Sequence, residues 1–450
     1  EGVRNPVASC TARATDGMVV KTTNEVLEKH RKTLLELVAS ENRNNDVDEL
    51  SGYASQELGQ LLDRYQARTG RFSGKQSGTS NTDDKNPFIL RDYDNCISCY
   101  HCVRVCAEQE GDHAINVMNR GFDTRIITEF NNDLRDSACT FCGQCVATCP
   151  TGALTDKKAI RAKDMPGEIQ KTRSVCTYCG VGCGVDILTK NDRVVGILPA
   201  MDGPANLGAL CVKGQYAFDF VHHPDRLTTP LIKEGGEFRP ATWDEALDLI
   251  AERLTHYRGS SFGTLCSAKA TNEDGYIQQK FSRLLMQSNN IDHCTRLCHA
   301  PSVEAMLTSL GSGATSNSYT DYEDAGCLLV IGCDPTSNHP VAASRMRRAV
   351  VERGAKLIVV NPRRIDMCDY ANLWLRAHPG TDVALLNGMA QVILDEGLQD
   401  QAFVTNRTEG FEDWAKVVET YTPQRVEEIT GVPADDSRQA ARHYAQPPAP

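Results

Sequence analysis

The spacing of apolar residues changes near residue 243 and separates two kinds of predicted structure. Before that point, apolar residues recur at helical spacing over residues 22–39 and again over about 47–65, which predicts two helices. The run MVV at residues 18–20 predicts a strand. Residues 69–86 are polar and rich in Gly and Ser, so we expect a linker there.

After residue 243, short apolar runs alternate with helical patterns. FGTLCS precedes a helix near 273–288, and GCLLVIG precedes a helix from about Pro340 to Arg353. AKLIVV, a further helix, LWLRA and a helix beginning near Thr381 follow in that order. Such alternation is typical of βαβ units, so the sequence predicts an α/β fold with a parallel, Rossmann-like sheet.

Composition adds one unusual feature, which is the number of cysteines. The chain has 450 residues, 19 of them Cys, and a formal net charge of −11. The length excludes a small disulfide-rich scaffold, the charge argues against nucleic acid as a partner, and the longest apolar runs are too short to cross a bilayer. The cysteine-rich middle, residues 91–215, has little apolar periodicity, which indicates a module held together by metal.

Eight cysteines form two runs with the spacing C-x2-C-x2-C-x3-C, and Pro150 follows the second run. This is the bacterial ferredoxin pattern, in which the fourth cysteine of each run binds the cluster of the other run. Thiolates are soft donors that suit iron, and zinc is the alternative. The predicted ligands of one 4Fe–4S cluster are Cys96, Cys99, Cys102 and Cys149, and those of the other are Cys139, Cys142, Cys145 and Cys106.

A third set of cysteines follows within VCTYCGVGCGV and GALCVKG. Four thiols separated by glycines suit a third 4Fe–4S cluster, because glycine lets backbone N–H groups approach the sulfurs. A structural zinc ribbon is the alternative that the spacing leaves open. The predicted ligands are Cys176, Cys179, Cys183 and Cys211.

The remaining cysteines include one that stands out. Cys298 directly precedes His299 in HCTRLCHAPSV, and this arrangement is compatible with a buried thiol, an iron ligand or a reactive centre. The nearby Cys294 is expected to pack. Burial in the core is also the expectation for Cys10, Cys266, Cys327 and Cys333.

Six motifs in a fixed order resemble those of one family: VCTYCGVGCGV, GALCVKGQYAFDFVHHPDRLTTPLI, RLCHAPSV, GCDPTSNHPVA, VVNPRR and HPGTDVALLN. They are similar to motifs of the catalytic subunit of molybdenum- or tungsten-dependent formate dehydrogenases, which are bis-molybdopterin guanine dinucleotide oxidoreductases. The resemblance extends from about residue 88 to the end. It implies that Cys298 ligates molybdenum or tungsten, that His299 flanks the substrate, and that Lys213 lies between the third cluster and a pterin.

The resemblance also implies where the guanine dinucleotides bind. Three loops, 332–340, 361–364 and 380–382, follow predicted strands, where open parallel sheets bind dinucleotides. We expect Thr381 to cap the helix that begins there, and Asp334 and Asp382 to accept guanine N–H groups. The predicted cofactor-binding residues are Lys213, Gly332, Asp334, Asn338, Asn361, Arg363, Gly380, Thr381 and Asp382.

The first residues, NPVASCTARATDGMVVKT, resemble the end of a plant-type 2Fe–2S domain, which implies that Cys10 is its last ligand. The His/Cys3 cluster of relatives is not expected, because SENRNNDVDELSGYASQELGQ contains neither His nor Cys. The predicted domains are a 2Fe–2S remnant at 1–20, a helical segment and linker at 21–87, a double ferredoxin module at 88–165, a 4Fe–4S domain at 170–232 and incomplete α/β cofactor-binding domains at 233–450.

The resemblance implies oxidation of formate to CO2, which removes two electrons and a proton, with His299 orienting the substrate or taking the proton. Electrons would pass through the Lys213 region to the third cluster and then to the ferredoxin clusters. The expected acceptor is a flavin- and iron–sulfur-bearing diaphorase-type subunit that reduces NAD, with ferredoxin or a hydrogenase subunit as alternatives. We expect a cytoplasmic hetero-oligomer without a membrane span or nucleic-acid partner.

Three other functions remain open at this point. A nitrate reductase shares the third cluster and the cysteine ligand, but usually lacks the following histidine and the paired ferredoxin module. A second alternative is an electron-relay subunit like that of complex I, in which the pterin domain would be empty. The intact motifs LCH (297–299) and CVKG (211–214) argue against this alternative. An iron-only hydrogenase would need another cysteine set after residue 200. The cap domain and the arginine for the substrate carboxylate are expected beyond residue 450.

Overall fold

A computed structural model of the chain describes residues 6–42, 55–74, 82–83 and 85–446. It divides into two compact units. The first unit comprises Glu1–Phe218 and Tyr319–Pro450, and the second comprises Asp219–Ser318. None of the helices within the described ranges is both long enough and apolar enough to cross a membrane.

Two helices, α1 (Glu25–Ala39) and α2 (Glu57–Arg64), form the N-terminal part of the first unit. Asn24 caps α1 by accepting a hydrogen bond from the N–H of Leu27 at 2.8 Å, which satisfies a donor that the helix leaves free. The first predicted helix is therefore confirmed. The second predicted helix, at about 47–65, is confirmed in α2, and its residues 47–54 lie outside the described residues.

The strand predicted at residues 18–20 is wrong. These residues form no strand, and their three side chains are exposed by 47–63%. Apolar character alone does not make a strand, because a strand also needs a neighbouring strand to accept its backbone hydrogen bonds.

The ferredoxin-like part of the first unit contains two small antiparallel sheets, in which β2 pairs with β1 and β5, and β3 pairs with β4. Its core is built around Ile89, Ile126 and Val146, and cysteines of both runs pack against it. The linker predicted at 69–86 is wrong at 82–83, which form β1. The elements are β1 (Thr82–Asp83), β2 (Ile89–Asp92), α3 (His101–Arg104), β3 (Ile115–Met118), β4 (Arg125–Thr128), α4 (Gln144–Ala147), β5 (Leu154–Asp156) and α5 (Lys157–Lys163).

A three-stranded antiparallel sheet follows, in the order β6-β7-β8. Alternate residues of its central strand are buried, as expected for a sheet with one face on a core. A short helix closes this part. The elements are β6 (Gln170–Val175), β7 (Gly184–Lys190), β8 (Arg193–Pro199) and α6 (Val212–Tyr216).

The second unit contains an antiparallel hairpin, β9 with β10, and a parallel pair, β11 with β12. A capping box at Thr271 and Asp274 starts its helix α8. The predicted strand FGTLCS and the helix after it are confirmed as β11 and α8. The elements are β9 (Leu231–Glu234), β10 (Glu237–Pro240), α7 (Trp243–Leu254), β11 (Thr264–Cys266), α8 (Asn272–Lys280), β12 (Ile291–His293), α9 (Thr295–Cys298) and α10 (Ala300–Leu310).

The C-terminal part of the first unit is a parallel sheet in the order β13-β14-β15, with helices on both faces. The central strand is covered on both sides, and Leu357, Ile358 and Val359 are fully buried, which confirms the predicted parallel sheet. Its elements are β13 (Cys327–Ile331), α11 (Pro335–Asn338), α12 (Pro340–Arg353), β14 (Lys356–Val360), β15 (Leu373–Leu375), α13 (Asp382–Asp395), α14 (Gln401–Arg407), α15 (Phe411–Val418), α16 (Pro423–Thr430) and α17 (Ala434–Ala445).

The helix predicted between AKLIVV and LWLRA is wrong. Only one 3₁₀ turn, Asp366–Asp369, lies between β14 and β15. Within it Met367 is fully buried and packs into the same apolar cluster as Leu357 and Val359. A connection with a single 3₁₀ turn therefore returns the chain from the end of β14 to the start of β15, which pairs with β14 in parallel.

Candidate functional site

The fourth cysteine of the second run lies beside the first three cysteines of the first run. Burial raises the pKa of the Cys102 thiol, and the neighbouring charges of Cys149, Cys96 and Cys99 raise it further. All four line an apolar cavity of about 50 Å³. The raised pKa keeps the Cys102 thiol protonated at neutral pH unless a metal takes the place of the proton. Four sulfurs that line one cavity fit the predicted cluster.

The second predicted set is also brought together across the two runs. Burial raises the pKa of Cys139 to about 11, and Cys106 is among the charges that add to the increase. Cys145 is partly buried and lies near cysteines of both sets, and desolvation holds the pKa of its thiol well above its ordinary value. The N–H of Phe141 donates to the sulfur of Cys139 at 3.4 Å. A backbone N–H aimed at a sulfur favours the thiolate form that binds iron.

Within the described ranges, no three His, Cys, Asp or Glu side chains are close enough to share one metal ion. In a 4Fe–4S cluster each thiolate binds a different iron. The assignment of the cysteine sets to clusters stays a prediction.

Three cysteines of the third set lie in the loop that connects β6 with β7, and the fourth lies before α6. Cys176 follows β6 and Cys183 precedes β7, and the N–H of the first donates to the carbonyl oxygen of the second at 2.8 Å. Cys211 is the residue before α6. Burial raises the pKa of Cys183 to about 12, and charges of Cys176, Cys211 and Cys179 add to the effect. Val181 and Val341 contribute to the apolar surroundings, so water is kept from a group bound there.

Asn206 braces this third site and was not predicted. Its side chain is fully buried, accepts from the N–H of Gly184 at 2.8 Å and donates to the carbonyl oxygens of Gly184 at 3.2 Å and Ala209 at 2.7 Å. Gly184 follows one predicted ligand and Ala209 lies two residues before another. The side chain thus fixes the two halves of the site relative to each other.

Replacing Asn206 with Ala should lower the free energy of unfolding of this part by about 2–3 kcal/mol, because three buried backbone groups lose their partner. The measurement is a guanidinium titration of the full-length protein followed by the visible absorbance of its clusters. Asn406→Ala is the control, since Asn406 is exposed and bonds only the carbonyl oxygen of Ala402 in its own helix. An unchanged titration midpoint for N206A would contradict the bracing role.

Lys213 connects the third cysteine set with the loop after β13. Its ammonium group donates to the carbonyl oxygen of Ser337 at 2.7 Å, across 124 residues of sequence. Asp334 lies in the same loop, where its carboxylate accepts from the N–H of Ser337 at 3.4 Å and from its hydroxyl at 2.9 Å. The carboxylate therefore caps its own short helix, α11, and its contact with a guanine stays a prediction.

The three predicted dinucleotide loops lie at the carboxyl ends of adjacent parallel strands. Gly332 follows β13 with φ +65, and its N–H donates to the carbonyl oxygen of Val360 at the end of β14. Asn361 follows β14, is 6% exposed, and donates from its side chain to the carbonyl oxygen of Cys333 at 3.2 Å. The oxygen of the same side chain accepts from the N–H of Arg363 at 3.0 Å. The buried side-chain amide of Asn361 thus makes hydrogen bonds in both the loop after β13 and the loop after β14.

The third loop differs from its prediction in one detail. Thr381 stands at the N-cap position of α13, but its side chain makes no capping bond. Its hydroxyl donates instead to the carbonyl oxygen of His378 at 2.7 Å. Gly380 has φ +83, a conformation that favours glycine. Asn338 and Asp382 are exposed at the ends of their loops.

Cys298 and His299 lie in the second unit, at the junction of α9 and α10. Cys298 is exposed, so its sulfur is accessible to a ligand. The prediction that Cys294 packs is wrong, because it is exposed and its sulfur accepts the N–H of Ala268 at 3.2 Å. The predicted burial of Cys10 and Cys333 is also wrong, because both residues are exposed. Cys266 and Cys327 are partly buried.

A buried ion pair beside the second cysteine set was also missed. Arg347 and Asp112 are joined at 2.6 Å, with side chains exposed by only 5% and 4%. The sequence does contain a signal for it: Arg347 stands four residues after Ala343, on the stripe that α12 buries. Its partner is 235 residues away, and no local pattern identifies it.

Comparisons with known proteins give three family matches in chain order. Residues 86–155 match the ferredoxin-like domain of NADH-quinone oxidoreductase subunit 3. Residues 169–223 match the molybdopterin oxidoreductase Fe4S4 domain, and residues 226–424 match the molybdopterin oxidoreductase family. The predicted domain boundaries between and beyond these matches stay predictions.

Individual relatives carry related names. The alpha subunit of F420-dependent formate dehydrogenase 1 from Methanococcus maripaludis is 43% identical over 277 residues, which are 62% of this chain and 41% of that protein. A putative formate dehydrogenase of Staphylococcus haemolyticus is 35% identical over 393 residues, 78% of this chain and 40% of that protein. This chain thus spans about two fifths of the length of these curated relatives. Among solved structures, acetylene hydratase from Pelobacter acetylenicus is similar, with a TM-score of 0.52 and 30% identity over 62% of this chain and 39% of that one.

Proposed function

The chain belongs to the molybdopterin oxidoreductases, and on that premise we propose that it is the electron-transferring and cofactor-binding part of a formate dehydrogenase alpha subunit. The substrate assignment is supported by the names of the relatives and by the adjacent Cys298 and His299. The molybdenum or tungsten centre on two pterins, when bound, would accept the two electrons of formate. Cys298 would hold that centre, and His299 would orient formate or take its proton.

The observation that carries the electron-transfer part is the contact between two cysteine sets. Cys142 of the ferredoxin runs and Cys211 of the third set line one cavity of about 60 Å³. Gln144, the first residue of α4, is buried, and the two polar atoms of its side-chain amide lie 2.8 Å from the carbonyl oxygen of Gly208 and 2.7 Å from the N atom of Leu210, just before Cys211. Clusters bound by these sets would be near neighbours, as a relay requires. Cys99 of the remaining set is exposed, which favours that end as the exit.

The test uses the full-length protein, purified without oxygen. We expect molybdenum or tungsten by metal analysis and formate-dependent reduction of a viologen dye. Metal-free protein with intact clusters and no dye reduction would favour the complex I-like relay. Oxidation of reduced viologen by nitrate, without activity on formate, would favour a nitrate reductase.

Two observations support different electron acceptors. The match of residues 86–155 to a domain of NADH-quinone oxidoreductase favours a flavin-bearing partner and NAD. The names of the archaeal relatives favour F420. Assays of the purified complex with formate and either NAD, F420 or ferredoxin would distinguish the acceptors, because only the physiological one should be reduced without an added dye.

Replacing Lys213 with Met should slow the reduction of the clusters by formate about 10- to 100-fold, because the ammonium group that links the third site to the Ser337 loop is lost. Reduction by dithionite should keep its rate, since dithionite does not need that route. Stopped-flow bleaching of the cluster absorbance measures both rates. The matched control is Lys416→Met, at a lysine that is 71% exposed. Equal formate and dithionite rates in K213M and the wild type would contradict the role of Lys213.

A further inference from the structure

Helix α12 contacts the surroundings of two different cysteine sets. In its first turn, Val341 and Ala342 pack into the apolar cluster that contains Cys211 of the third set. Less than two turns later, the buried Arg347 reaches the loop that follows the first ferredoxin run. Arg347 also lines the cavity of about 60 Å³ that Cys142 and Cys211 share. The guanidinium group therefore lies beside the space between two proposed clusters.

The contacts of Arg347 lead directly to the ligand loops of the second set. Its Nη2 donates to the carbonyl oxygen of Glu110 at 2.7 Å and to Oδ1 of Asp112 at 2.6 Å. The other oxygen of Asp112 accepts from the hydroxyl of Thr140 at 2.5 Å, within the loop between two predicted ligands. The N–H of Asp112 donates to the carbonyl oxygen of Cys106 at 3.1 Å. Through its carboxylate and its backbone N–H, Asp112 thus links Arg347 to both halves of the ligand set.

Gly111 fixes how closely this loop approaches the helix. Its φ is +68, and a Cβ built there would lie 3.4 Å from the Cβ of Arg347. A larger residue would combine backbone strain with a tight contact. The distance between the loop and α12 is therefore set by backbone packing as well as by the ion pair.

Burying a charged pair is costly, and replacing it by apolar side chains of similar size is often neutral or stabilising. Arg347 and Asp112 are thus poorly explained by stability alone. A guanidinium stays protonated at any physiological pH, so it supplies a permanent positive charge. Inside a protein such a charge acts over longer distances than in water, and a cluster that gains an electron becomes more negative.

We propose that Arg347 is a positioning residue that also tunes electron transfer from the cluster of Cys176, Cys179, Cys183 and Cys211 to that of Cys106, Cys139, Cys142 and Cys145. This rests on the cluster assignments made under the proposed function. One electron leaves the first cluster, which is oxidised, and enters the second, which is reduced, and no proton or further reactant takes part. The positive charge of Arg347 stabilises the reduced form of the second cluster, and Asp112 opposes it.

The test is a redox titration of the full-length protein, followed by electron paramagnetic resonance of each cluster. In Arg347→Met the signal of the second ferredoxin cluster should move to a more negative midpoint potential. In Asp112→Asn it should move to a more positive one, and the double variant should return toward the wild-type value. Arg347→Lys keeps the charge and should stay near the wild type. Arg353→Met is the matched control on the same helix, where the side chain is 45% exposed, and should change nothing.

Opposite shifts in R347M and D112N support the proposal, because the loss of a purely structural contact would move both variants in the same direction. Shifts of the same sign, or none with all clusters present, overturn it. Should R347M lose the cluster, the direction of the D112N shift decides. Absence of three cluster signals in the wild-type protein would instead contradict the cluster assignments, so the two failures are distinguishable.

Discussion

Replacing Cys298 with Ala is expected to reduce formate oxidation by the full-length protein at least about 100-fold, while the iron–sulfur clusters stay in place. The sulfur is the proposed protein ligand of molybdenum or tungsten, and a thiolate donates strongly to such a metal. Because Cys298 is exposed, its replacement opens no cavity in the core, and folding should be unaffected. Formate-dependent viologen reduction measures the activity, and cluster signals after dithionite reduction measure the integrity of the relay.

The chain offers a matched control four residues away. Cys294 is also exposed, and C294A should keep its activity. His299→Ala should retain the metal but turn over more slowly, since it removes only the group that orients formate or takes the proton. Undiminished activity in C298A, with metal still bound, would exclude Cys298 as the ligand.

Replacing Cys149 with Ala is expected to remove the cluster of the first run, although Cys149 belongs to the second run. In the structure, Cys149 lies close enough to Cys102 for its charge to raise the pKa of the Cys102 thiol, as the charges of Cys96 and Cys99 also do. The iron content should fall by about four atoms per chain, because one four-iron cluster is lost. Transfer to the natural acceptor should nearly stop, since the exposed exit cluster would be missing.

Double variants identify which cluster is lost. C149A combined with Cys96→Ala should lose no more iron than C149A alone, because both residues would bind the same cluster. C149A combined with Cys139→Ala should lose two clusters. The opposite pattern would mean that each run binds its own cluster, and the pairing across the runs would then be wrong.

Several local features follow from the sequence because they depend on residues close together in the chain. A loop with three cysteines at intervals of two or three residues can bring their thiols to one cluster, so the three cysteine sets could be recognised before the fold was known. Apolar runs such as KLIVV predict buried parallel strands, which β14 confirms. The wrong strand at 18–20 and the missing helix before β15 have the opposite cause, since apolar character does not reveal which partner a segment finds.

The sequence by itself determined the order of the domains, the α/β sheet and the thiols available for metal. The tertiary structure decided which distant groups meet: Cys149 with Cys102, Lys213 with Ser337, and Arg347 with Asp112. It also directed the hydroxyl of Thr381 to the carbonyl oxygen of His378 and not to the start of α13. The physical reason is that local spacing fixes which elements form, whereas the packing of those elements fixes the contacts between residues far apart in the sequence.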